Sequence, residues 1–137
     1  MMIEATAILV VGGITVLFLG LLLGIPMIIT RRQSARAPRY LLAAHLAAII
    51  QGGMLLALTV AVDFSALPAG VETIGAGLLV GGVALFDSGL VLNWIQGVAD
   101  AFAEGSLGNK ISGLGTPLVL IGAAILLYGV LAAAGGG

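Results

Sequence analysis

Four apolar runs, each about as long as a bilayer is thick, limit this chain to very few folds. They lie near residues 5–30, 40–62, 73–102 and 116–133, and a membrane-spanning helix needs roughly 20 such residues. In hydrocarbon a backbone has to satisfy its own hydrogen bonds, so each run is predicted to be a helix. The connections near 31–39, 63–72 and 103–115 are short, which makes successive helices antiparallel neighbours. The predicted fold is all-α: an integral membrane four-helix up-down bundle, one transmembrane domain over residues 1–137.

The basic residues orient it. Arg31, Arg32, Arg36 and Arg39 occupy the first connection and Lys110 the third, whereas the second holds only Asp63 and Glu72. Positive charge stays on the cytoplasmic side, so both termini are predicted outside, in a multi-pass protein of the cell (inner) membrane. The arginine cluster is a topology signal first and a contact for anionic lipid second. The start, Met-Met-Ile-Glu, lacks a basic n-region, and its apolar run is too long for a cleavable signal.

Composition removes whole classes of function. Only 8% of residues are charged, against 61% hydrophobic, and the net charge of −1 offers nothing to nucleic acid. There is no cysteine, which excludes disulfides, thiolate metal sites and cysteine nucleophiles. With a single histidine, a zinc site drawing three or four ligands from His, Cys and carboxylates is not expected. No Ser-His-Asp, phosphate-cradling or nucleotide-binding motif stands in the chain. No tandem repeat is evident. Gly20 with Gly24, and Gly77 with Gly81, have the small-xxx-small spacing that permits close helix packing.

The residues that carry chemistry are the few polar ones inside the runs: His45 and Gln51 in the second, and Asp87, Ser88, Asn93, Gln96 and Asp100 in the third. An ionisable group within a span is costly and marks function by default. His45 is the sharpest case, because it stands in the sequence Ala-Ala-His-Leu-Ala-Ala. Its partner is an iron, a substrate, or a polar group on another helix. Taking the run midpoints as Gln51 and Asp87, a rise of about 1.5 Å per residue sets His45 level with Asn93 and Gln51 level with Asp87. At 3.6 residues per turn Asn93, Gln96, Gly97 and Asp100 share one face, with Asp87 and Trp94 nearly opposite. A helix polar on two faces favours burial between copies of the chain. Asp87, near midplane, has to be protonated or hydrogen-bonded, as proton carrier or as helix glue. Gln51 and Asn93 are substrate contacts or interhelical amides. Trp94 is an interface anchor or a pocket wall. Asp100 and Glu104 are expected at headgroup depth, in water.

A histidine on the wall of a helical bundle is the usual axial ligand of haem. One histidine leaves an open coordination position, and an open ferric site is a Lewis acid. The absence of a CxxCH motif makes any haem non-covalent.

The strings Ala44-His45, Gln51-Gly52-x-Met54 and Asn93-Trp94 resemble the membrane isomerase group that contains styrene oxide isomerase and hydroxylaminobenzene mutase. The resemblance covers the second and third runs. It implies a homotrimer with haem b at subunit interfaces, His45 as axial ligand, Gln51 orienting substrate and Asn93 lining the pocket with Asp87, Trp94 and Gln96. Position 51 carries Gln where the group has Asn. Ala47 and Ala48 stand where the mutase branch has an acid, and neither Tyr40 nor Tyr128 matches the epoxide isomerase's tyrosine. The function so implied is a haem-b-dependent isomerase of a small aromatic epoxide or arylhydroxylamine, entering from the lipid bilayer and rearranged without net redox change. The alternatives are a non-catalytic haem protein for electron transfer or sensing, and a cofactor-free structural or accessory bundle.

Overall fold

The computed structural model describes residues 4–136, so Met1–Ile3 of the N-terminal reading and Gly137 lie outside it. Five helices follow one another: α1 (Ala5–Gln33), α2 (Arg39–Ala57), α3 (Thr59–Asp63), α4 (Ala69–Ile95) and α5 (Leu107–Gly135). Only Leu58 separates α2 from α3, and the two make one apolar span, Arg39–Asp63. Among the described residues there is no strand, and four spans are long and apolar enough to cross a membrane. On that ground the chain is a multi-pass membrane protein.

Two boundaries differ most from the sequence reading, and the third span also starts earlier, at Ala69 and not near 73. The third span stops at Ile95 and not near 102, because Gln96 caps it and Gly97 follows with φ +64°. That left-handed conformation suits glycine and closes a helix. Gln96, Gly97 and Asp100 therefore share no helical face with Asn93, and the second polar face disappears. Its remaining member, Asn93, is covered by α5 within the same chain, so the two-faced argument for self-association falls with it. The last helix begins at Leu107 and not near 116, running through Pro117. Its first turns are poor in helix formers, and tertiary packing overrides that weak preference.

The packing is glycine against backbone. On α1 and α2, a Cβ placed on Gly52 would lie 2.6 Å from the Leu17 nitrogen and 2.9 Å from the Gly13 oxygen. On α4 and α5, one placed on Gly115 would lie 2.8 Å from the Phe86 nitrogen, and one on Gly122 2.7 Å from the Gly75 oxygen. Without hydrophobic drive between helices in lipid, such close approach is what supplies van der Waals attraction. The spacing is seven residues, Gly75-Gly82-Gly89 facing Gly108-Gly115-Gly122, the period that keeps a seam facing its partner. Gly20 does pack, against Ala48 and Ile49, but Gly77 and Gly81 have nothing within 4 Å and form no packing face.

These contacts also expose a repeat. Residues 11–24, VGGITVLFLGLLLG, align with 80–93, VGGVALFDSGLVLN. Gly13, Leu17 and Gly20 then correspond to Gly82, Phe86 and Gly89, and Gly52 and Ile49 to Gly115 and Ser112. Each member of the first set meets its partner as its counterpart does in the second. The α1–α2 and α4–α5 pairs are two copies of one arrangement, contrary to the expectation of no repeat. Identity survives mostly at the seam glycines, so the likeness is faint along the chain.

Candidate functional site: the His45 layer

Two apolar clusters fill the bundle. One holds Leu9 and Val16 of α1, Ala48 and Leu55 of α2, and Leu79 and Val83 of α4. The other holds Leu23 of α1, Leu41 and Ala44 of α2, and Leu90, Val91 and Trp94 of α4. The slice between them runs from Val16 to Leu23, from Ala44 to Ala48 and from Val83 to Leu90. Gly20, His45 and Asp87 occupy it.

His45 is half-buried, and its Nδ1 lies 2.7 Å from the Gly20 carbonyl oxygen. A carbonyl can only accept, so Nδ1 carries the proton and donates it. Nε2, left with its lone pair, has no hydrogen-bond partner among the described residues. The ring has room because position 24 is glycine, whose Cβ site is 3.4 Å from Cε1. The repeat makes this legible: His45 corresponds to Gly108, and Gly24 to Asn93. In the first pair a large side chain on α2 reaches over a glycine on α1. In the second, Asn93 on α4 reaches over Gly108 on α5.

An imidazole whose Nδ1–H is tied to a backbone carbonyl has its tautomer and ring orientation fixed for ligation through Nε2. The donor set therefore fits a haem iron held by one axial histidine.

The expected neighbours of His45 are elsewhere. Asn93, 1% exposed, accepts a hydrogen bond from Ser106 Oγ at 2.7 Å. Its depth is that of Tyr40, with which it lines a cavity of about 280 Å³ together with Arg39 and Trp94. It is not level with His45. The group at that depth is Asp87, because α4 spans Ala69–Ile95 and centres near Gly82. Gln51 is likewise displaced from Asp87, falling between Ala48 and Leu55 beside the first cluster. Six residues after His45, it points about 120° away around α2. Asp87 is 1% exposed, and both its carboxyl oxygens, like Gln51 Oε1, are enclosed without a hydrogen-bond partner among the described residues. Trp94 packs in the second cluster, and Gln96 is exposed at the end of α4.

Two residues escaped the sequence reading. The buried Tyr40 Oη accepts from the Ala101 nitrogen at 2.8 Å, tying α2 to the loop after α4. Ser106 caps α5, accepting from the Asn109 nitrogen at 3.1 Å while donating to Asn93. Serine is a favoured cap, but the glycine-rich residues 107–115 that follow it, ahead of the apolar run, hid that signal. Ser106→Ala is expected to lower stability by about 1–2 kcal/mol, a lost cap plus an unmet buried acceptor, read as an earlier thermal midpoint in detergent. The same loop is laced by acids. Glu104 Oε1 accepts from the Ala99 and Asp100 nitrogens, and Asp100 Oδ1 from Phe102 and Ala103. The Ala103 and Phe102 N–H groups hold the Asp100 carboxyl below its ordinary range. Asp100 and Glu104 are exposed, as expected, but as loop-builders.

No family model, curated protein or solved structure matches this chain.

Proposed function

We propose that the chain is a haem-b-dependent membrane isomerase, in which His45 Nε2 would hold the iron. The observation that carries this reading is the Nδ1 bond to the Gly20 carbonyl, which leaves one oriented, unshared lone pair in a segment otherwise fit for lipid. The substrate is a small aromatic epoxide or arylhydroxylamine, reached through the bilayer, and the rearrangement involves no net redox change. Haem held there would supply Lewis-acid chemistry toward the substrate's oxygen. The chain supplies the rest. Gly20 orients the imidazole, Gly24 leaves it space, and the surrounding Leu and Ala side chains keep water away. Gln51 is the proposed positioning amide for substrate. Asn93, joined to Ser106, acts through the α4–α5 loop.

The bundle is up-down in the bilayer, with the arginine-rich loop inside and both termini outside, as the basic residues require. The assembly is a homotrimer, by resemblance to the isomerase group.

The test is an absorption spectrum of the detergent-purified chain produced with haem supplied. A Soret band is expected, and a colourless protein would overturn the reading. Gln51→Ala is expected to keep the band and slow turnover of an aryl epoxide or hydroxylamine. Unchanged rates would remove Gln51 from the reaction.

A further inference from the structure

The first helix pair meets α4 through one face, and the repeat indicates what the second pair lacks. Leu9, Val16 and Leu23 of α1, with Ala44, Ala48 and Leu55 of α2, are buried in the clusters they form with α4. Their counterparts are Leu78, Leu85 and Leu92 on α4, with Leu107, Ile111 and Leu118 on α5. All six are apolar, and none is buried. The facing surface shows the converse. Val80, Val83, Leu90 and Val91 of α4 pack on the first pair, whereas their counterparts on α1, Val11, Ile14, Leu21 and Leu22, are exposed. One contact states the mismatch most directly. The Val80 Cβ lies 3.2 Å from the Cβ site of Gly12. The counterpart glycine, Gly81, has nothing within 4 Å, and the counterpart valine, Val11, is exposed.

The halves are related by a turn about an axis along the helices. Gly12 meets Val80, the neighbour of its own counterpart Gly81, so counterparts lie at about one depth. A half-turn would set α5 against α1 as α2 is set against α4. α5 makes no comparable contact with α1, so the turn is smaller and two halves do not close the circle. Head-to-tail contacts of this kind close only with further copies. Charge agrees. Residues 31–39 carry four arginines and no acid; residues 96–106 carry Asp100 and Glu104 and no base, with Lys110 a turn into α5. The two segments are neighbours within the chain, where Tyr40 holds the Ala101 nitrogen and the Arg39 charge reaches Asp100. Head-to-tail packing repeats that basic-to-acidic junction between copies, whereas two-fold pairing sets like against like.

We propose that the open faces of α1 and of α4–α5 are the two sides of one interface, and that copies of this chain join head to tail through it in a closed ring, with Val11 of each copy seated on Gly81 of the next. The occupant of each face is a second copy, because the contact between the halves is already its template. The proposal rests on the repeat and not on haem, and it gives the assembly its contact surfaces.

The chain has no cysteine of its own, so disulfide trapping tests the interface without background. Two differently tagged forms, Val11→Cys and Gly81→Cys, are produced together in one membrane and oxidised with copper phenanthroline. A disulfide joining the two forms is expected, since the template sets the Cβ atoms 3.2 Å apart, near the range of about 3.5–4.5 Å that a disulfide spans. Either form alone should run uncross-linked on a denaturing gel, and a chain carrying both substitutions should give a ladder. Absence of the mixed disulfide, or disulfides between like forms, overturns the proposal. Gly81→Leu has open space within its own chain. It should keep its circular dichroism and fall to the mass of a monomer by light scattering in detergent; an unchanged assembly overturns the proposal. If Gly81→Leu does not fold, the disulfide pattern decides. A colourless protein that still cross-links head to tail would sink the haem reading and leave this one standing.

Discussion

His45→Ala is expected to remove the Soret band entirely while the chain stays folded. The lost hydrogen bond is cheap to lose. Interhelical bonds in membranes average about 0.6 kcal/mol, and the Gly20 carbonyl keeps its place in the α1 ladder. The α1–α2 seam rests on Gly13, Gly20 and Gly52, which the substitution leaves alone. A second variant separates ligation from general damage. Gly24→Leu keeps the histidine but puts a branched side chain where the ring now has 3.4 Å of clearance. It should swing the imidazole off the Gly20 carbonyl and cost most of the haem. Circular dichroism and haem content, measured on the same preparations, check both. Full haem retention in His45→Ala would mean that another group holds the iron.

Gly52→Val is expected to pull α1 from α2 and leave the protein aggregated or degraded. The atoms in the way of its Cβ are the Leu17 nitrogen, the Gly13 oxygen and the Leu17 Cα, all backbone, so no rotamer can yield. Overpacking of a yielding site costs about 1–3 kcal/mol, and a backbone-limited site should exceed that. The neighbouring residue is the control. Gly53 has nothing within 4 Å, so Gly53→Ala should be neutral or stabilising by roughly 0.5–1 kcal/mol, the helix preference of alanine over glycine. The same contrast is expected between Gly82 and Gly81. Thermal unfolding in one detergent would compare all four, and equal effects at Gly52 and Gly53 would refute the seam.

Length and apolarity made the helical class and the four spans readable from the chain. The finer geometry was masked by a glycine and a serine. Gly97 ends α4 by conformation and not by polarity, so hydropathy carried the span past it. Ser106 starts α5 by capping, ahead of residues too glycine-rich to read as helix. With its start at Ala69 and its end at Ile95, α4 has its centre about five residues earlier than the run suggests, enough to exchange Asn93 for Asp87 at the depth of His45. His45 itself was conspicuous, since a lone imidazole among leucines and alanines has few explanations. Its partner was not, because a backbone carbonyl leaves no mark in the sequence. Tyr40 was passed over for a similar reason: its partner is the amide of Ala101, 61 residues away.

The two like helix pairs make the chain a covalent dimer of a half-sized unit. Each half carries its own glycine seam, so each can hold two helices together before it meets the other. The stretch between α3 and α4 rests on α5, its Ala66 N–H donating to the Gly129 carbonyl oxygen at 3.1 Å, and halves made separately in one cell should find each other in the bilayer. The doubling also frees one copy from the demands on the other. Only the first half keeps an imidazole at its seam. Its twin has put glycine there and turned the same place into a joint.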